Sequence, residues 1–168
     1  MVLRWINLDR AKYTKGCLGE GIVDRYLFSQ GLIPYHPVFD GSHPFDRICS
    51  TPDKREVIIT ETKTKARRTH YEDTGINLKH YTEYRYISNK HNLRVFLFFV
   101  DEFLKQVYGN FLDILEQKEN NYPLIQRGII YFPLRKMILI SKLDICEVQE
   151  LVKFSSRNHK YPQISSKI

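Results

Sequence analysis

Cysteine is scarce in this chain, and what there is stands apart. Cys17, Cys49 and Cys146 are odd in number and form no C-x-x-C pair. That argues against a disulfide framework and against a cysteine-based zinc site, and it points to a reducing compartment. Long apolar runs are missing too. The longest, Val95 to Val100, is far too short to cross a bilayer. Met1 to Arg10 is too polar for a secretory signal, so a cytoplasmic protein without membrane association is expected. None of the six histidines stands in H-x-x-x-H spacing, which removes the helical histidine metal motif. Acidic residues are outnumbered: 19 Asp and Glu against 26 Lys and Arg leave a net charge of +7. A polyanionic partner is favoured by that balance, nucleic acid first. Repeats and low-complexity blocks are absent.

What is present is the composition of a globular chain, 42% hydrophobic and 27% charged over 168 residues, enough for one domain with a real core. Its organising stretch is Val57-Ile58-Ile59-Thr60-Glu61-Thr62-Lys63-Thr64-Lys65. This apolar, β-branched run reads as a buried strand that ends in a Glu-x-Lys pair. The two-residue period of a strand puts Glu61 and Lys63 on one face, and Thr60 and Thr62 on the other.

Met1 to Lys12 shows no period and reads as a short leader. A helix is expected over roughly Lys15 to Gln30, capped by Thr14 and closed by Gly31. Gly19 and Gly21 flank Glu20 within it, and glycines there suggest a close approach to the backbone. Leu32 to Phe39 carries Pro34 and Pro37 and reads as an edge segment. Asp40 to Pro44 is a turn cluster. Phe45 to Cys49 alternates as a strand, with Asp46 facing away from Phe45 and Arg47. Thr51 to Arg55 connects it as a hairpin to the central strand, which brings Asp46 near Glu61. Ala66 to Gly75 reads as a polar loop, with Thr74 capping a helix over about Ile76 to Asn89. Leu93 to Val100 is a second buried strand. Beyond it, Phe103 to Tyr108 extends the sheet and Gly109-Asn110 turns. Phe111 to Gln117 is a short helix, Gly128–Pro133 and Lys136–Ser141 form a hairpin, and Leu143 to Lys153 is a last helix. The tail from Phe154 reads as loose. The expectation is an α/β fold with a mixed sheet, a core over about 15–100 and a β-rich extension over about 103–153.

Glu20, Asp46, Glu61 and Lys63 are thereby drawn to one end of the sheet. Carboxylates so gathered repel one another unless a cation lies between them. An all-oxygen set, extended by the Thr62 carbonyl, suits Mg²⁺, with Mn²⁺ able to substitute. A lysine beside such an ion can orient an attacking water and offset charge on a phosphate. Phosphodiester hydrolysis is the chemistry that asks for this set. The run Lys63, Lys65, Arg67, Arg68 follows where a phosphate backbone would pass, and Lys79 comes on the next helix.

With these residues the sequence resembles the PD-(D/E)XK nuclease superfamily. That superfamily's core is helix, three-strand meander, helix and strand, which matches the order read over roughly Lys15 to Val100. Its motif, an acid on the second strand and Glu/Asp-x-Lys on the third, is met by Asp46 and by Glu61-Thr62-Lys63, with Phe45 where the motif's name has Pro. The helical Glu of many members is met by Glu20. RecB-like members carry Gln-x-x-x-Tyr on the following helix; here Asn77-Leu78-Lys79-His80-Tyr81 keeps the spacing with Asn for Gln. The resemblance implies a restriction-endonuclease-like αβββαβ core and a Mg²⁺-dependent DNA nuclease, endonuclease rather than exonuclease. It implies Asp46, Glu61 and the Thr62 carbonyl as metal ligands and Glu20 at a second metal or its water. Lys63 would hold the nucleophile, and Asn77 and Tyr81 would support substrate phosphate or Lys63. The competing readings are a non-catalytic DNA-binding module on the same fold, or a subunit of a DNA-processing assembly. In the latter, the extension is a docking or homodimer face.

Overall fold

The computed structural model describes residues 2–37, 45–53 and 55–155, and for residues 2–9 the backbone alone. The expected turn cluster Asp40–Pro44, His43 and Lys54 fall outside these, as does the tail from residue 156.

Helix α1 runs from Val2 to Ser29, so the stretch read as a leader is its first turns. Thr14 is not a cap. It sits inside the helix, and its hydroxyl donates to the Arg10 carbonyl one turn back at 2.9 Å. The end does close as expected: Gly31 takes φ +73°, and the Leu32 N–H returns to the Leu27 carbonyl at 3.0 Å. Strands β1 (Ile33–Tyr35), β2 (Arg47–Ser50) and β3 (Val57–Thr64) follow as an antiparallel meander, with Arg47 opposite Thr60.

Strand β4 (Asp73–Asn77) then takes over the end of the expected loop and the start of the expected helix. Thr74 lies inside it, and the cap of helix α2 (Leu78–His91) is Asn77, whose side chain accepts from the Lys79 N–H at 2.8 Å. Strand β5 (Arg94–Asp101) pairs parallel with β3, Glu61 beside Leu97 and Lys63 beside Phe99.

The region after β5 is β-rich as expected, and its strands are built into the sheets. Strand β6 (Gln106–Phe111) and β9 (Ile138–Lys142) continue the main sheet, whose order is β1-β2-β3-β5-β6-β9. Gly109 and Asn110 therefore lie within a strand and not in a turn; a Cβ on Gly109 would collide with the Leu97 carbonyl of β5. Helix α3 (Leu112–Leu115) falls inside the short helix expected there. Strands β7 (Leu124–Gln126) and β8 (Ile129–Pro133) form a second sheet with β4, in the order β4-β8-β7. The expected β8–β9 hairpin is thus split between two sheets. Helix α4 (Ile145–Lys153) opens with a reciprocal cap, Asp144 accepting from the Glu147 N–H and Glu147 from the Asp144 N–H.

Alternation along β5 shows where the core lies. Phe96, Phe98 and Val100 pack with Ile22, Val23 and Leu27 of α1 and Leu151 of α4. Val95, Leu97 and Phe99 pack on the other face with Tyr84, Leu112, Ile130 and Phe132. A strand buried on both faces needs an unbroken apolar run, which β5 supplies. Among the described residues no helix is long and apolar enough to cross a membrane.

Candidate active site

β3 sorts its side chains as a period of two requires. Thr60 is fully buried near Cys49, and Thr64 lies under α1, where a Cβ on Gly19 would collide with its hydroxyl. Gly19 is therefore the glycine that close packing demands; a Cβ on Gly21 would meet nothing nearer than 3.9 Å. On the opposite face, Glu61 is 4% exposed and ion-paired with Lys63. Tyr84 of α2 completes this side. Its ring lies 6.0 Å from the Lys63 ammonium, and its hydroxyl is buried facing Glu61 without a well-formed hydrogen bond. Burial, then the Glu61 charge, pushes the Tyr84 hydroxyl well above the ordinary phenol range.

Asp46 precedes β2 and comes to the same place. Its Oδ2 accepts from the Thr62 N–H at 2.6 Å. Its carboxyl is pushed up to about 7, first by burial and then by the Glu61 charge. Glu20 adds to the rise, while the Thr62 N–H and Lys63 oppose it. Arg47, the next residue, takes the α1 side. Its guanidinium bonds Asp24 twice at 3.0 Å and Glu20 at 3.1 Å, and Nη1 donates to the Asp46 carbonyl at 2.8 Å. Arg47 thus ties Glu20 to the backbone of Asp46. The sequence held one signal for it: a charged residue inside an alternating strand, beside the motif acid.

The remaining expected site residues are distributed differently. Asn77 caps α2. The Tyr81 hydroxyl is raised by burial and by Glu116 of the α3 end, so the tyrosine beside Glu61 and Lys63 is Tyr84, three residues further along the helix. Lys65 donates to the Gly75 carbonyl at 2.8 Å, and Arg67 to the Tyr71 carbonyl at 3.1 Å. Arg68 turns inward to Asp73, which is fully buried and also accepts from the Tyr122 hydroxyl at 2.7 Å. Lys79 is exposed, 4.0 Å from Glu83. His80, half-buried on α2, stands 3.7 Å from Glu83. Asp101 anchors the turn after β5, accepting from the Phe103 and Leu104 N–H groups at 2.9 Å.

Among the described residues no group of three or more His, Cys, Asp or Glu forms a ready metal cage. Asp46, its carboxyl raised by the Glu61 charge, and Glu61 itself are, however, an all-oxygen donor set. Mg²⁺ takes only one or two protein carboxylates and fills its remaining sites with water and phosphate. The residues present therefore fit such an ion.

No family model matches the chain, and no curated protein sequence does. The solved structures do give a match. The chain is similar to the Holliday junction resolvase Hjc of Archaeoglobus fulgidus, at 13% identity and a TM-score of 0.51. The match covers 79% of this chain and 98% of the resolvase. The fold is thus the restriction-endonuclease-like fold, α/β with a mixed central sheet.

Proposed function

We propose that the protein is a Mg²⁺-dependent endonuclease acting on DNA in the cytoplasm. The observation that carries this reading is the Asp46 carboxyl, seated on the Thr62 N–H and raised by its neighbour Glu61, with Lys63 beside them at the end of β3. Asp46 and Glu61 would hold the ion with the Thr62 carbonyl, and Glu20, kept near by Arg47, would serve a second ion or its water. The ion supplies positive charge to the scissile phosphate. Lys63 orients the attacking water and neutralises part of the charge that develops on phosphorus-bound oxygens. Hydrolysis joins the water's oxygen to phosphorus and breaks the bond to one bridging oxygen, which leaves with a proton. Tyr84 shields the Glu61–Lys63 side from bulk water, which strengthens both interactions. Lys65, Arg67 and Lys79 lie along the path of the backbone, while Arg68 is committed to Asp73. Because the similar solved structure is a Holliday junction resolvase, a four-way junction belongs on the substrate panel with duplex, nicked and forked DNA. The test is cleavage of that labelled panel with Mg²⁺, with Mn²⁺ and with EDTA. Metal-dependent cleavage of at least one member is expected; intact substrate throughout overturns the reading.

A further inference from the structure

Strands β7 and β8 form a tight hairpin whose tip is Arg127-Gly128, between Gln126 and its partner Ile129. Both tip residues take positive φ, +50° at Arg127 and +74° at Gly128. That is the type I′ geometry, which asks for Asn or Asp followed by Gly. The turn does not favour arginine, because a Cβ on left-handed backbone crowds the following carbonyl. Arg127 is exposed, and none of the described residues pairs with its guanidinium.

Below this tip the hairpin is fixed on both strands. Gln126 of β7 accepts from Arg68 Nη1 at 3.3 Å, and β8 runs antiparallel along β4, Ile129 beside Asn77. The Gly128 carbonyl accepts from the Leu78 N–H at 2.8 Å, which clamps the tip to the first turn of α2. Further along that helix is Tyr84, against Glu61 and Lys63. Leu78 to Tyr84 is about 9 Å along the helix axis, roughly three base steps of a DNA strand.

An unanswered guanidinium held rigidly beside that site calls for a surface rich in acceptors, since it only donates hydrogen bonds. Its neighbours Ile125 and Ile129 have no side-chain donors, and Gln126 is taken by Arg68. The hairpin therefore lacks the row of polar groups that reads a major groove. A lone arginine suits the minor groove, which narrows and concentrates negative potential over A·T tracts. There A·T pairs offer acceptors alone, whereas G·C adds the guanine amino group, a donor that opposes an arginine.

We propose that Arg127 enters the minor groove of a paired DNA arm, roughly three base pairs from the bond at Asp46 and Glu61, and favours A·T there. The proposal rests on the DNA partner of the reading above and not on cleavage, so it is tested without metal.

The full chain is titrated in EDTA, by anisotropy, with labelled duplex and four-way-junction DNA of A·T arms, and with the same DNAs carrying 2,6-diaminopurine for adenine. That base adds an amino group in the minor groove and leaves the major groove as it was. The A·T forms are expected to bind about fivefold more tightly. Arg127→Asn should bring the two forms within about twofold of each other, while the urea midpoint holds or rises, since asparagine suits the turn. Equal weakening of Arg127→Asn on both forms makes Arg127 a phosphate contact and overturns the groove assignment, as does a preference that survives the substitution. Metal-dependent cleavage by a protein indifferent to the amino group overturns this proposal alone. Neither binding nor cleavage of any DNA overturns the nuclease reading with it.

Discussion

Asp73 and Asp46 are both acids drawn out of water beside β3, and the two are treated differently. Asp73 is fully buried and answered on every side. Arg68 reaches both its oxygens, the Tyr122 hydroxyl adds a third bond, and the guanidinium is held between the rings of Tyr71 and Tyr131, about 4 Å from each. Asp46 receives one N–H, from Thr62, and otherwise faces Glu61 and Glu20, with Lys63 the one cation acting on it. Its nearest guanidinium, on Arg47, is taken up by Asp24 and Glu20 and touches only its carbonyl. One cluster balances acid with base and closes; the other carries surplus acid and stays open. A closed pair serves the fold, whereas an open surplus has use for an added cation.

The contrast is broken most directly by truncating the open cluster. Asp46→Ala and Lys63→Ala are each expected to lower cleavage by about 10³-fold while leaving DNA affinity within about threefold, read by labelled-substrate cleavage and by anisotropy. Equal loss of both in both variants would remove the catalytic assignment. The closed cluster should answer in stability instead. Arg68→Ala leaves Asp73 buried and uncompensated, at a cost of about 3–5 kcal/mol in urea unfolding. Adding Asp73→Asn should recover part of that loss.

The pH dependence sharpens the same comparison. Below the unfolded carboxylate pKa, near 3.8, Asp46 is protonated in both states and contributes nothing. Between there and about 7 the unfolded chain ionises while the folded one keeps its proton, so stability falls as pH rises. Above that the penalty is complete and constant. Asp46→Asn should therefore be more stable than the parent by roughly 2–4 kcal/mol at pH 8, converging with it near pH 4. Mg²⁺ should narrow the gap by stabilising the parent alone, which unfolding curves with and without the ion would show. The smallest effect is expected at Gly19→Ala, where the new methyl meets Thr64: a loss of about 1–3 kcal/mol, partly relieved by Thr64→Ala.

The open cluster was legible in the sequence because it lies on a strand whose apolar run and period of two are local properties. The helix–meander–helix–strand order was legible for the same reason. What escaped depends on partners far along the chain. Asp73-Thr74-Gly75 has the composition of a loop, yet it is a buried strand because Gly75 lets the Ile130 backbone of β8 lie against it. Gly109 looked like a turn and is a strand residue because the Leu97 carbonyl occupies the space a side chain would need. Arg68 read as a DNA contact because its acid arrives five residues later on that unrecognised strand. Tyr84 follows Leu78 and Tyr81 at helical spacing, the mark of a packing face, and only the fold shows that this face includes Glu61.

The missing side chain at Gly19 works as a notch. Thr64 seats in it, so the 28-residue helix cannot slide or roll across the strand without lifting off. Lys15 lies one turn before the notch and Glu20 one residue after it. A single threonine therefore indexes both, the lysine to Glu102 and the glutamate to Arg47. Any rotation of α1 would detune the two faces of the β3 end together.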